Sequence, residues 1–188
     1  MKILFIGNSY TYFNDMPALF KAEYEKRGVT ADVDSVTAGG YTLERFLSRD
    51  DEYGRRVKQL LESEKYDFVV LQEQSVRPVV ETEEFLRCVS EFAARIKANG
   101  AKPVLYQTWG RAAHSQTLKT LDMTHDVMHE KIKAAYEKAA AGNNALLVFA
   151  GDAFDKAYKA GKPVFDPDGS HPSPLGSRII AEEFSKAL

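Results

Sequence analysis

The sequence predicts an α/β protein, a three-layer sandwich of helices on both faces of a five-stranded parallel sheet. Two observations lead there. Short apolar runs alternate with longer segments of helical period, the pattern of βα units. Three of the runs, Ile3–Ile6, Phe68–Leu71 and Leu146–Phe149, are continuous rather than alternating, as strands covered on both faces require. The 188 residues are enough for a self-sufficient core and are read as one domain, residues 1–188.

The elements follow in order. Strands are expected at Lys2–Gly7, Ala31–Val36, Asp67–Gln72, Pro103–Gln107 and Ala145–Ala150. Asp15 and Pro17 open the first helix and Gly28 closes it. Phe85, Val89, Phe92 and Ile96 recur three and four residues apart on one stripe, and Met128, Ile132 and Tyr136 recur at four. Ser173 caps a last helix with Pro174 at its first position, and Leu175, Ile179, Ile180 and Phe184 share one face. Two stretches lack a period, Trp109–Thr120 and Gly161–Pro172, and long irregular connections of this kind often carry function.

Composition removes several classes. A net charge of −2 lacks the basic excess of a nucleic-acid binder. The longest apolar run, Ala145–Ala150, is far short of the roughly 18 residues of a membrane span. One cysteine allows no internal disulfide. The first residues do not show the basic, apolar and small-residue pattern of an export leader, so a cytoplasmic location is the expectation; a trimmed leader would leave the same sequence. No nucleic-acid or membrane partner is expected.

Four strand ends carry polar chemistry. Gly7-Asn8-Ser9-Tyr10-Thr11 puts a serine at the carboxyl edge of the sheet, where α/β proteins bind ligands; the plainer alternative is a serine that bonds its own turn. Ala38-Gly39-Gly40 could expose a backbone N–H, since glycine lets a ligand approach. Leu71-Gln72-Glu73-Gln74-Ser75 ends a strand in amides, which donate to an oxyanion without adding charge. Asp168-Gly169-Ser170-His171 places an aspartate three residues before a histidine, able to orient the imidazole as a base towards a serine hydroxyl. Asp166 is a second choice for that role.

Together, in this order, the four blocks resemble the SGNH (GDSL-type) hydrolases. Gly7-Asn8-Ser9 matches that family's first block with asparagine for aspartate. Gly40-Tyr41-Thr42 matches its glycine block, Gln72–Ser75 stands where its G-x-N-D lies, and Asp168–His171 is its D-x-x-H. The resemblance spans Gly7 to His171. It implies a flavodoxin-like fold with strand order 2-1-3-4-5 and a serine esterase acting on acyl esters, small or carbohydrate-borne. Ser9, His171 and Asp168 would form the triad, and Ser9, Gly40 and Gln74 the oxyanion hole. Asn8 is expected to alter mainly the hydrogen bonding of the turn. The competing reading is a flavodoxin-like module that binds a phosphate or another small ligand at the first loop.

Other residues have plainer readings. Trp109 and Arg111 follow the fourth strand and could line the substrate pocket, though Trp109 could equally plug the core. Cys88 lies on the Phe85–Phe92 stripe and is expected buried. His125 and His129 share a helical face but lack the glutamate of His-Glu-x-x-His, so surface histidines are expected. Neither a metal nor another cofactor is expected.

Overall fold

Ile3 and Phe5 enter one core while Leu4 and Ile6 enter another, because successive strand side chains point to opposite faces. The computed structural model describes Met1 to Leu188. Its strands are β1 (Lys2–Gly7), β2 (Asp32–Thr37), β3 (Phe68–Leu71), β4 (Lys102–Tyr106) and β5 (Leu146–Val148). All pair in parallel, in the order β2-β1-β3-β4-β5.

The helices are α1 (Ser9–Tyr12), α2 (Met16–Glu25), α3 (Leu43–Leu47), α4 (Glu52–Ser63), α5 (Arg77–Val80), α6 (Thr82–Asn99), α7 (Gln116–Thr120), α8 (His125–Asn143), α9 (Ala150–Lys159) and α10 (Pro174–Ala187). Phe20 of α2, Phe154 of α9 and Phe184 of α10 cover the face of Ile3 and Phe5. Phe46 of α3, Val57 of α4, Phe92 of α6 and Ile132 of α8 cover the face of Leu4 and Ile6. Layers on both sides explain why the central strands lack a polar alternation.

Some boundaries differ from expectation. The last strand is shorter, since Phe149 is exposed and Ala150 already opens α9. Ser9–Tyr12 forms a helical turn where a loop was expected, and Asn8 caps it by accepting from the Tyr10 N–H at 3.1 Å. Ser173 caps α10 as expected, accepting from Gly176 N at 3.1 Å.

The strand order positions the site. From β1 the chain passes to β2 on one side, then crosses over to β3 on the other, which opens a crevice at the carboxyl ends. Gly7 pairs with Thr37 and Ile6 with Leu71, so the segments after β1, β2 and β3 leave the sheet at one edge. Gly7 must be glycine there. A Cβ would stand 2.3 Å from Thr11 Oγ1 and 2.6 Å from Gln72 Oε1.

Candidate active site

Ser9 opens α1 directly after β1, and its Oγ lies 2.8 Å from His171 Nε2. His171 Nδ1 lies 2.5 Å from Asp168 Oδ2. A carboxylate only accepts, so Nδ1 carries the proton and Nε2 presents a lone pair to the serine hydroxyl. The other oxygen, Asp168 Oδ1, accepts from Ser170 N at 2.8 Å and His171 N at 3.0 Å. Asp166 holds the loop by backbone alone, donating from its N to His171 O at 2.8 Å, and its carboxylate makes no bond to the imidazole. Burial pushes the Asp168 carboxyl up, but bonds from His171 and from the His171 and Ser170 N–H groups outweigh it and hold it below its usual range.

Aromatic rings fix the imidazole. Phe13 stacks on His171 with centroids 4.2 Å apart, and Tyr10 meets it edge-on at 5.6 Å. The Tyr10 hydroxyl reaches Ser170 Oγ at 2.9 Å, which ties the helix of Ser9 to the histidine loop.

The residues expected to donate to an oxyanion come from two other strand ends. Gly40 sits at φ +70°, a left-handed conformation that favours glycine, and no group of the protein accepts its N–H. Gln74 Oε1 accepts from Val76 N at 2.8 Å and Arg77 N at 3.2 Å, which pins the amide by its oxygen and keeps its NH2 as the free end. Ser9, Gly40, Gln74, Ser75, Arg111 and His171 face one cleft of about 220 Å³. Tyr10 is its one apolar side chain and no carboxylate lines it. A wider groove of about 410 Å³ between α4 and α6 is lined by Arg49, Lys58, Glu62, Lys65 and Arg95 and holds no serine, cysteine or histidine.

Three buried groups link these strand ends. Asn8 Nδ2 donates to Tyr41 O at 2.9 Å, joining the serine turn to the Gly40 loop. The aspartate of the family's first block could not make that bond. Gln72 Oε1 accepts from Asn8 N at 2.8 Å and Thr11 Oγ1 at 3.0 Å. The Glu73 carboxylate accepts from Leu43 N at 3.2 Å and Gln74 N at 2.6 Å, so one side chain ties the segment after Gly40 to the segment after β3. Burial raises its pKa to about 7, against the opposing pull of those N–H groups and Arg77. Sequence reasoning missed Glu73, and its place between two amides was the only sign.

Two expectations are corrected. Trp109 is fully buried and stands outside the cleft lining. It stacks between Tyr10 at 4.6 Å and Phe154 at 4.0 Å, and its Nε1 donates to Ser170 O at 3.1 Å. It therefore backs the site as a core plug. Arg111, by contrast, does line the cleft. His125 and His129 are buried rather than on the surface, because α9 brings Asp155 and Asp152 against them. His125, Asp126 and Asp155 bring ligand-type atoms within 4.8 Å of one another, but Lys159 Nζ already lies 2.8 Å from Asp126 and 3.0 Å from Asp155, filling the place of a cation. Cys88 is buried as expected, and burial pushes its thiol up to about 12.

The fold and cleft define a class, a parallel α/β protein with a serine, a histidine and an aspartate meeting at the switch point of its sheet. No protein-family model and no curated protein matches the chain. Among solved structures it is similar to a protein from Slackia heliotrinireducens assigned to the SGNH hydrolases, with 34% identity over 100% of this chain and 98% of that one and a TM-score of 0.90. A DUF4886 family protein from Bacteroides uniformis shares 20% identity over 100% and 82%, with a TM-score of 0.84. An acetyl xylan esterase shares 17% over the full length of both chains, with a TM-score of 0.73. The last two likenesses show the fold. The first shows the family: this chain is a hydrolase and belongs to the SGNH (GDSL-type) hydrolases.

Proposed function

We propose that this hydrolase is a serine esterase that cleaves short acyl esters, carried on small molecules or carbohydrates, through an acyl-enzyme. The observation that carries the reading is the continuous chain from Ser9 Oγ through the His171 ring to Asp168, at 2.8 and 2.5 Å. His171 Nε2 takes the proton of Ser9 as Oγ bonds to the ester carbonyl carbon. The oxyanion is met by the N–H groups of Ser9 and Gly40 and the Gln74 amide; one such donor typically contributes about 3–4 kcal/mol to the transition state. Collapse breaks the bond to the alcohol oxygen, which leaves with the proton from His171. Water then repeats the sequence and frees the acid. Asp168 keeps the imidazole in the productive tautomer without taking its proton.

A cleft of about 220 Å³ with a single apolar side chain favours a short acyl group over a lipid tail. The acetyl xylan esterase among the similar structures supports the carbohydrate-borne variant as part of this proposal. A phosphate- or flavin-binding module would leave the Asp168–His171–Ser9 chain without a role. Hydrolysis of 4-nitrophenyl acetate by the wild type and by Ser9→Ala tests the reading. Activity is expected to fall by about three orders of magnitude or more in the variant. Equal rates in the two proteins would remove Ser9 from the reaction.

A further inference from the structure

Arg111 lines the cleft but has no place among the proposed triad and oxyanion donors. Three arginines are less than fully exposed: Arg77 is buried, and Arg95 and Arg111 are half-buried. Arg77 lies 2.7 Å from Glu81 and 3.1 Å from Glu44, and Arg95 lies 2.5 Å from Glu91. Arg111 forms no ion pair. Its Nη2 donates to Ser75 Oγ at 2.7 Å, its carbon lies 5.6 Å from the centre of the Tyr10 ring, and its Nε is buried with no partner. Taking a guanidinium partly out of water costs free energy that a single hydroxyl does not offset.

The position is built rather than incidental. His125 Nδ1 donates to the Arg111 carbonyl at 2.8 Å, and the next residue, Ala112, donates its N–H to Gly169 O at 2.9 Å. Beneath the guanidinium, Tyr10, Trp109 and Phe154 form a continuous stack. The chain thus holds a cation in place, adjoining Ser75 and Tyr10, the sequence neighbours of Gln74 and Ser9. With no carboxylate in the lining, its charge is left for a ligand.

We propose that Arg111 is a specificity residue for an anionic group, and that the ester cleaved here carries a carboxylate or a phosphate close to its scissile bond. A planar guanidinium offers paired N–H donors that match either group, and such charge-assisted bonds are about twice as strong as neutral ones. This rests on the esterase reading for the reaction but not for the binding.

Two measurements separate them. The first compares kcat/KM for 4-nitrophenyl hydrogen succinate with that for the neutral 4-nitrophenyl butyrate, in wild type, Arg111→Gln and Arg111→Lys. The wild type is expected to prefer the anionic ester, and Arg111→Gln to lower that preference on the order of 10- to 100-fold, the range of a hydrogen bond to a charged group. Arg111→Lys should restore part of it. The second titrates Ser9→Ala with succinate and with inorganic phosphate, following fluorescence of the single tryptophan, Trp109, which stacks on Tyr10. Saturable binding of either is expected and should weaken when Arg111→Gln is added; which one binds distinguishes carboxylate from phosphate.

If no ester is hydrolysed, the esterase reading falls and the titration still decides the role of Arg111. The proposal is overturned by an unchanged preference in Arg111→Gln, by an equal loss on both esters, or by the absence of binding in Ser9→Ala.

Discussion

Two histidine–aspartate pairs of nearly equal length sit in this molecule, and their surroundings suit them to opposite roles. His171 meets Asp168 at 2.5 Å, and His125 meets Asp155 at 2.7 Å. The difference lies at the second ring nitrogen. His171 Nε2 faces the Ser9 hydroxyl at 2.8 Å, a group with a proton to give. His125 Nδ1 faces the Arg111 carbonyl at 2.8 Å, which only accepts. With both ring nitrogens engaged by the Arg111 carbonyl and the Asp155 carboxylate, His125 has no edge left to face a nucleophile. An imidazole held by a carboxylate is a base only where its other edge meets a donor. Elsewhere it is a clamp.

The comparison breaks most readily on activity. His171→Ala is expected to lower kcat/KM for 4-nitrophenyl acetate by about 10³-fold or more. His125→Ala should instead lower unfolding stability by about 1–3 kcal/mol, the cost of unsatisfied buried groups, and change kcat/KM by less than about tenfold. A loss of activity in the folded His125 variant as deep as that in His171→Ala would erase the distinction.

Asp168→Asn tests the tautomer. An amide can donate to Nδ1, which moves the ring proton to Nε2 and removes the acceptor for Ser9. A fall of roughly 10²–10⁴ in kcat is expected, with folding retained. An unperturbed kcat would show that Asp168 only shapes the loop.

Glu73 adds a third case, a carboxylate that faces backbone N–H groups instead of a histidine. Its pKa near 7 lies above the ordinary value of 4.5. The folded protein therefore holds this proton through a window in which the unfolded chain has lost it. The stabilisation from that proton is fully present below about pH 4.5 and is lost as pH rises to about 7, an effect on the order of 3 kcal/mol. Urea unfolding at pH 5 and pH 8 should show a smaller fall for Glu73→Gln than for the wild type. Identical falls would exclude Glu73 as the source.

Asn8→Asp gives the smallest expected effect. The carboxylate keeps the cap on Tyr10 N but cannot donate to Tyr41 O, so about 1–3 kcal/mol of stability should be lost, read as a lower urea midpoint. A neutral result would mean that the serine turn and the Gly40 loop are held together by other bonds.

Much of this was legible along the chain. Ser9 and Gly40 follow strands, and strand ends can be found from apolar runs; Asp168–His171, expected at a fourth strand end, lies instead in the loop between α9 and α10. The Asp–His spacing of three is local, so the pair bond could be anticipated. The partners of His125 and His129 could not. Asp155 lies thirty residues beyond His125, on another helix, and no spacing rule connects them. Trp109 was equally ambiguous, since a tryptophan after a strand reads the same whether it lines a pocket or fills the space beneath one.

The sequence by itself determined the parallel α/β sheet, its covered faces and the order of the four blocks, because these follow from local periodicity and turn chemistry. Tertiary structure decided what faces each ring nitrogen of His171 and His125, that Glu73 and Asn8 join the flanks of the cleft, and that Arg111 stands there without a counter-charge. Those properties depend on distances between segments far apart in the chain, and only packing against both faces of the sheet sets them.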